Sequence, residues 1–99
     1  MSNNPYRFVR PEITALLASD DLYAQAQCEP TRAAYARTIL DIGEQDSRVV
    51  VLDADVSKSI GTNKFAKKFP DRSFNFGIAE QNMFAAAAGM ATTGLIPFA

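Results

Sequence analysis

From residue 30 onward, apolar positions alternate between helical spacing and short continuous runs. Ala36, Ile39, Leu40 and Gly43, with Ala33 and Tyr35 beside them, form a stripe at helical spacing. This predicts a helix from about Pro30 to Ile42, with proline suited to its first turn and Gly43 placed where helices commonly stop. The β-branched run Arg48-Val-Val-Val-Leu52 reads as a buried strand. Asp53-Ala54-Asp55 and a polar loop, Ser57 to Thr62, follow it. A short helix from Asn63 to Phe69 is closed by Pro70, and Ser73 to Phe76 is a second candidate strand. Ala79 to Thr92 gives the strongest helical pattern, ending near Gly94, and Leu95 to Phe98 begins a third strand.

Strand, helix, strand, helix, strand is the order of a parallel sheet with crossover helices, so the fold class is α/β. Three strands ending at Ala99 read as an incomplete domain, expected to fold poorly alone with an open edge. Residues 1–28 read as an N-terminal arm: Pro5 and Pro11 interrupt it, and Ile13, Leu16 and Leu17 make a short helical pattern. The α/β part is assigned to residues 29–99.

Composition narrows the chemistry. The 99 residues are 47% hydrophobic and 21% charged, enough for one small soluble domain. A net charge of −1 leaves no basic face for nucleic acid or an anionic membrane, and no apolar run is long enough to cross a bilayer. Met1 to Arg10 lack the features of a secretion signal, so a cytoplasmic location is expected. Cys28 is the single cysteine and there is no histidine. Disulfides, zinc clusters and Ser-His-Asp hydrolysis within the chain are thereby excluded. Chemistry here has to use carboxylates, a cofactor or a partner.

The richest stretch is Phe74-Asn75-Phe76-Gly77-Ile78-Ala79-Glu80-Gln81-Asn82-Met83. Strand passes to helix through Gly77, and Glu80 falls in the first helical turn. Positions 80, 83, 84, 87 and 91 share a face, and Met83, Phe84, Ala87 and Ala91 make it apolar. Glu80 is then expected to point toward the core, where a carboxylate is costly unless neutral or paired. The plainer reading is a helix-start glutamate with its head in water, favoured by the helix dipole. Spacing alone favours the plainer reading.

The words around Glu80 reverse that preference. Gly77-Ile78-Ala79-Glu80-Gln81-Asn82-Met83, with Phe69-Pro70-Asp71-Arg72 before it and Ala88-Gly89-Met90-Ala91 after it, resembles the pyrimidine-binding domain of the transketolase family. The resemblance runs back through Leu52-Asp53-Ala54-Asp55 to Thr31-Arg32-Ala33-Ala34-Tyr35, covering roughly residues 29 to 99. It implies thiamine diphosphate as cofactor, with Glu80 hydrogen-bonding N1′ of the aminopyrimidine so that the ring's own 4′ nitrogen acts as base. A carboxyl buried against apolar surface is favoured in its protonated form, which suits sharing a proton with N1′.

The resemblance places Asp55 beside the thiazolium and substrate channel, whereas both Asp53 and Asp55 can also be read as caps of the turn and following helix. It matches Arg32 and Ser59 to positions holding a sugar phosphate. Arginine's planar fork suits phosphate, although a solvated helix arginine and a loop serine are the bland readings. The family's metal and diphosphate site belongs to a separate domain, so Mg2+ or Ca2+ would be held by a partner domain or subunit, in a dimer or heterotetramer. A start at Met1 only a short arm ahead of this domain suggests a split arrangement.

The implied reaction is transfer of a two-carbon ketol unit between sugar phosphates. Asn82-Met83 after Glu80-Gln81 favours transketolase over deoxyxylulose-phosphate synthase, which usually has a histidine there. The alternatives are a non-catalytic remnant or subunit-interaction module, for which Ala85 to Ala88 would allow close helix approach, and a nucleotide-binding domain. The last has no glycine-rich strand-to-helix loop to support it.

Overall fold

Five consecutive buried residues, Val49–Asp53, form β1, the middle strand of a parallel three-stranded sheet. This is a computed structural model, and it describes residues 29–99, so the arm assigned to residues 1–28 lies outside the described residues. β2 is Ser73–Asn75 and β3 is Ile96–Phe98, giving the spatial order β2-β1-β3. In register, Val51, Leu52 and Asp53 stand opposite Ser73, Phe74 and Asn75, while Val49, Val50 and Val51 stand opposite Ile96, Pro97 and Phe98. The helices are α1 (Thr31–Gln45), α2 (Ser57–Ile60), α3 (Asn63–Lys68) and α4 (Glu80–Thr92), with a 3-10 turn at Pro70–Arg72. The α/β class expected from the sequence is the fold observed.

Strand residues project alternately to opposite faces, and both faces of β1 are covered. Val50, Leu52 and Ala54 pack with Met83 and Ala87 of α4. Val49 and Val51 pack with Ile39 of α1 and Phe65 of α3. Val49 to Leu52 are each 3% exposed or less, and Ala54 just beyond the strand is 7% exposed. Burial of this kind is worth about 1.5–3 kcal/mol per large aliphatic side chain.

The sequence and structure part at Gly43. It does not stop α1, which continues to Gln45 and is capped when the Asp46 N–H donates to the Ile42 carbonyl at 2.9 Å. Gly43 is buried inside the helix because the Phe65 ring lies against its Cα. Its role is close approach. Ser57–Ile60, read as loop, makes a short helix that ends at Gly61 in the left-handed region, φ 84°. Pro70 does end α3, and α4 stops beside Gly94, whose φ of 93° turns the chain into β3.

Arg72 ties the helix end to the sheet. Its guanidinium lies 3.9 Å from the Phe69 ring centroid. The same fork donates to the carbonyls of Gly43 at 2.9 Å, Asp46 at 3.1 Å and Val49 at 3.3 Å. Carbonyls at a helix C-terminus have no partner within the helix, and a planar fork can serve several at once. Nearby, Arg48 pairs with Asp46 at 2.7 Å and holds that carboxyl down at about 2.

A methyl group at position 43 would meet Phe65 ring carbons at 3.2 and 3.3 Å, with a third closer still. Phe65 is fully buried, packed with Ile39, Val49 and Val51. Alanine normally stabilises a helix interior by about 1 kcal/mol over glycine, while overpacking costs about 1–3 kcal/mol. Gly43→Ala is therefore expected to lower the stability of the protein, by up to ~2 kcal/mol in denaturant unfolding. A rise in stability would contradict this packing.

Candidate functional site

In a parallel sheet, loops at the carboxyl ends of the strands collect at one edge, which is where ligands bind in open α/β folds. Here that edge carries Asp53 at the end of β1 with Asp55 after it, Asn75 at the end of β2 with Gly77 after it, and the N-termini of α1 and α4.

Asp53 is buried and holds the turn. Its carbonyl accepts the Phe76 N–H at 2.9 Å, and its Oδ1 accepts the Val56 N–H at 3.3 Å. This is the capping reading of Asp53. Asp55 is exposed, with φ at 64°, the one non-glycine residue with positive φ among the described residues. Aspartate and asparagine are among the few side chains that visit this region with modest strain.

Asn75 connects the two loops. Its Oδ1 accepts the Asp55 N–H at 3.0 Å and the Gly77 N–H at 2.9 Å, and its Nδ2 lies 3.4 Å from Asp55 Oδ1. Sequence reading passed over Asn75. The half of its role that joins Gly77 follows the Asn-x-Gly spacing of a local side-chain turn. The half that joins Asp55 spans twenty residues and had no local signal.

Gly77, with φ at 66°, turns the chain from β2 toward α4. The Ala79 carbonyl then accepts the Met83 N–H at 2.9 Å, and no side chain caps the start of the helix. Ile78, Ala79, Glu80, Gln81 and Asn82 line an open concavity of about 450 Å³.

The expectation that Glu80 faces the core is corrected. Of its predicted face, only Met83 and Ala87 are buried, whereas Glu80, Phe84 and Ala91 are exposed. The described sheet is narrow, with three-residue outer strands, so α4 rests on it along a thin stripe. Residues on the shoulder of that stripe stand clear. Glu80 therefore lies in water, beside Phe84 at 59% exposure and Ile78 at 86%.

Arg32 and Ser59 are both exposed. They sit on α1 and α2, which pack together where Gly61 comes against Ala36 and the Arg32 carbonyl. Arg32 lines a second concavity of about 390 Å³ with Thr31, Tyr35, Ile60, Phe98 and Ala99. Ser59 does not line it. Burial raises the Tyr35 phenol above its ordinary range. The carboxyl edge thus groups Asp53, Asp55 and Asn75 with the start of α4, while Arg32 opens onto a separate hollow. Among the described residues no group of three or more histidine, cysteine, aspartate or glutamate side chains could hold a metal ion. None of the described helices is long and apolar enough to cross a membrane.

Comparison with known proteins gives this edge a family. The family described as "Transketolase, pyrimidine binding domain" matches residues 29–99. A transketolase C-terminal section of Methanocaldococcus jannaschii is 54% identical over 68 residues, covering 69% of this chain and 22% of that protein. A 6-deoxy-6-sulfo-D-fructose transketolase subunit of Clostridium sp. strain MSTE9 is 39% identical, over 68% of this chain and 21% of its own length. A 1-deoxy-D-xylulose-5-phosphate synthase of Syntrophus aciditrophicus is 41% identical, over 64% of this chain and 10% of its own length. Among solved structures, a split gene transketolase in an inactive beta4 tetramer superposes with a TM-score of 0.61. It has 54% sequence identity and covers 69% of this chain and 23% of that one. The chain spans less than a quarter of each of these relatives. With the family match running through every described element, the chain belongs to the transketolase family and corresponds to part of its pyrimidine-binding domain.

Proposed function

We propose that this chain is the pyrimidine-binding part of a thiamine-diphosphate-dependent, transketolase-like assembly that moves a two-carbon ketol unit between sugar phosphates. The observation that carries this reading is Glu80, presented in the first turn of α4 at the carboxyl edge of the sheet, where it lines an open hollow with Ile78, Ala79, Gln81 and Asn82.

The residues present suit an aminopyrimidine. Such a ring has flat apolar faces and a nitrogen-bearing edge. Ile78, which lines the hollow, and Phe84, exposed one turn further along α4, offer apolar surface near a carboxylate that can share a proton at N1′. Bound there, thiamine diphosphate supplies the carbanion chemistry of ketol transfer. Glu80 holds the proton at N1′. Asp55, with its left-handed backbone at the same carboxyl edge, is assigned the substrate side of the site. Arg32 and Ser59 hold the substrate phosphate. The cofactor's diphosphate, with Mg2+ or Ca2+, falls to a partner domain or subunit, which also covers Glu80 and excludes water from it. These roles suit a dimer or heterotetramer working in the cytoplasm.

A second reading also has an observation behind it. Phe84, Ala85 and Ala88 are exposed on α4, which suits packing against another subunit with or without catalysis.

Two substitutions separate the readings. In the complete assembly, Glu80→Gln is expected to lower ketol transfer by about 10²–10⁴-fold with little change in melting temperature, as for loss of a positioned proton-transfer group. Full activity in that variant would overturn the catalytic assignment. Asp55→Asn keeps a side chain that tolerates left-handed backbone. It is expected to fold normally and reduce turnover on the order of tenfold, about 1.4 kcal/mol of barrier. Unchanged turnover would remove Asp55 from the site.

A further inference from the structure

We infer that Asn75 is a positioning residue that fixes Asp55 and the start of the Glu80 helix relative to each other, an inference that rests on the function proposed above. Its amide oxygen has two lone pairs, and both are used. One receives the Asp55 N–H at 3.0 Å and the other the Gly77 N–H at 2.9 Å. Two backbone donors converging on one atom also settle which way the amide points, since the nitrogen could accept neither. The nitrogen then faces Asp55 Oδ1 at 3.4 Å, a long contact with the carboxylate that the proposed site uses.

The two loops held this way have few other ties. Asp53 stands in register with Asn75 and joins the loops at their roots, through its carbonyl to the Phe76 N–H at 2.9 Å. Beyond the roots, Asp55 adopts a backbone conformation that most residues avoid, and Gly77 adopts one at φ 66°. Each of these conformations aims its N–H at the same oxygen. The chain reaches Glu80 three residues after Gly77, and the Ala79 N–H donates to the Gly77 carbonyl at 2.9 Å, so the Gly77 turn leads directly into α4. Asn75 touches neither reacting atoms nor cofactor in this account. It acts through the two residues it aligns.

Substitutions at position 75 distinguish alignment from general support. Asn75→Ala removes both acceptors. Asn75→Asp keeps an oxygen acceptor for both N–H groups, but it replaces the amide nitrogen with a second carboxylate oxygen facing Asp55. Residue-resolved amide hydrogen exchange and steady-state kinetics of the complete assembly provide two independent readouts. In Asn75→Ala, the Asp55 and Gly77 amides should both exchange about tenfold faster, while Val51 and Leu52 keep their protection. The kcat should fall about tenfold, with KM for the sugar phosphate held within about twofold, because Arg32 and Ser59 lie outside the clamp. Asn75→Asp should restore protection at both amides without restoring full kcat.

Unchanged exchange at Asp55 and Gly77 in Asn75→Ala would overturn the inference. So would equal loss of protection at Val51 and Leu52, which would make Asn75 a general support of the sheet. An unchanged kcat would overturn it as well. The exchange readout does not depend on Glu80 chemistry. Full activity in Glu80→Gln, beside unprotected Asp55 and Gly77 amides in Asn75→Ala, would defeat the proposed function and leave the clamp standing.

Discussion

The burial of β1 on both faces is the constraint from which the rest of the structure follows. Val50 and Leu52 need cover on one side, Val49 and Val51 on the other, and a central parallel strand can be covered only by helices that cross over it. With helices α1 and α3 on one face and α4 on the other, the connections between strands must run to the ends of the sheet. Those leaving β1 and β2 emerge at the same carboxyl edge. Asp53, Asp55, Asn75, Gly77 and Glu80 gather at one edge for that reason, although α2, α3 and β2 all lie between Asp53 and Glu80 in the chain.

The same geometry leaves Glu80 at the rim of the packed stripe. α4 reaches the core through Met83 and Ala87, and a single helix lying on a narrow sheet cannot bury the turn that overhangs it. Ile78 and Phe84, both large and apolar, share that overhang. An apolar surface rimming a carboxylate fits a heteroaromatic ring and a covering partner better than it fits bulk water. In the proposed function, the low-dielectric surroundings that make a carboxylate effective in proton sharing would come from the rest of the assembly. This agrees with a chain that spans less than a quarter of its relatives.

Much of this was legible in the residues. The β-branched run at 49–51 marked the central strand, Pro70 marked the end of α3, and Gly94 marked the end of α4. Such signals are local, because they depend on backbone preferences and side-chain alternation. Most of the misreadings needed tertiary information. Gly43 carries the same local signature whether it ends a helix or admits an aromatic ring, and only the position of Phe65 decides between them. The Glu80 face looked buried because helical periodicity gives direction but not the width of the surface beneath. The helical turn at Ser57–Ile60 is too short for any periodicity to show. Asn75 was missed because half of its bonding lies across the sheet edge.

The proposed function requires the Glu80 carboxylate to meet the cofactor's pyrimidine. A crystal structure of the complete assembly loaded with thiamine diphosphate tests it most directly. The predicted result is a Glu80 carboxylate oxygen at hydrogen-bond distance from N1′, roughly 2.6–3.0 Å, with the side chain covered by the partner. A pyrimidine ring held elsewhere, with Glu80 still facing solvent, would contradict it.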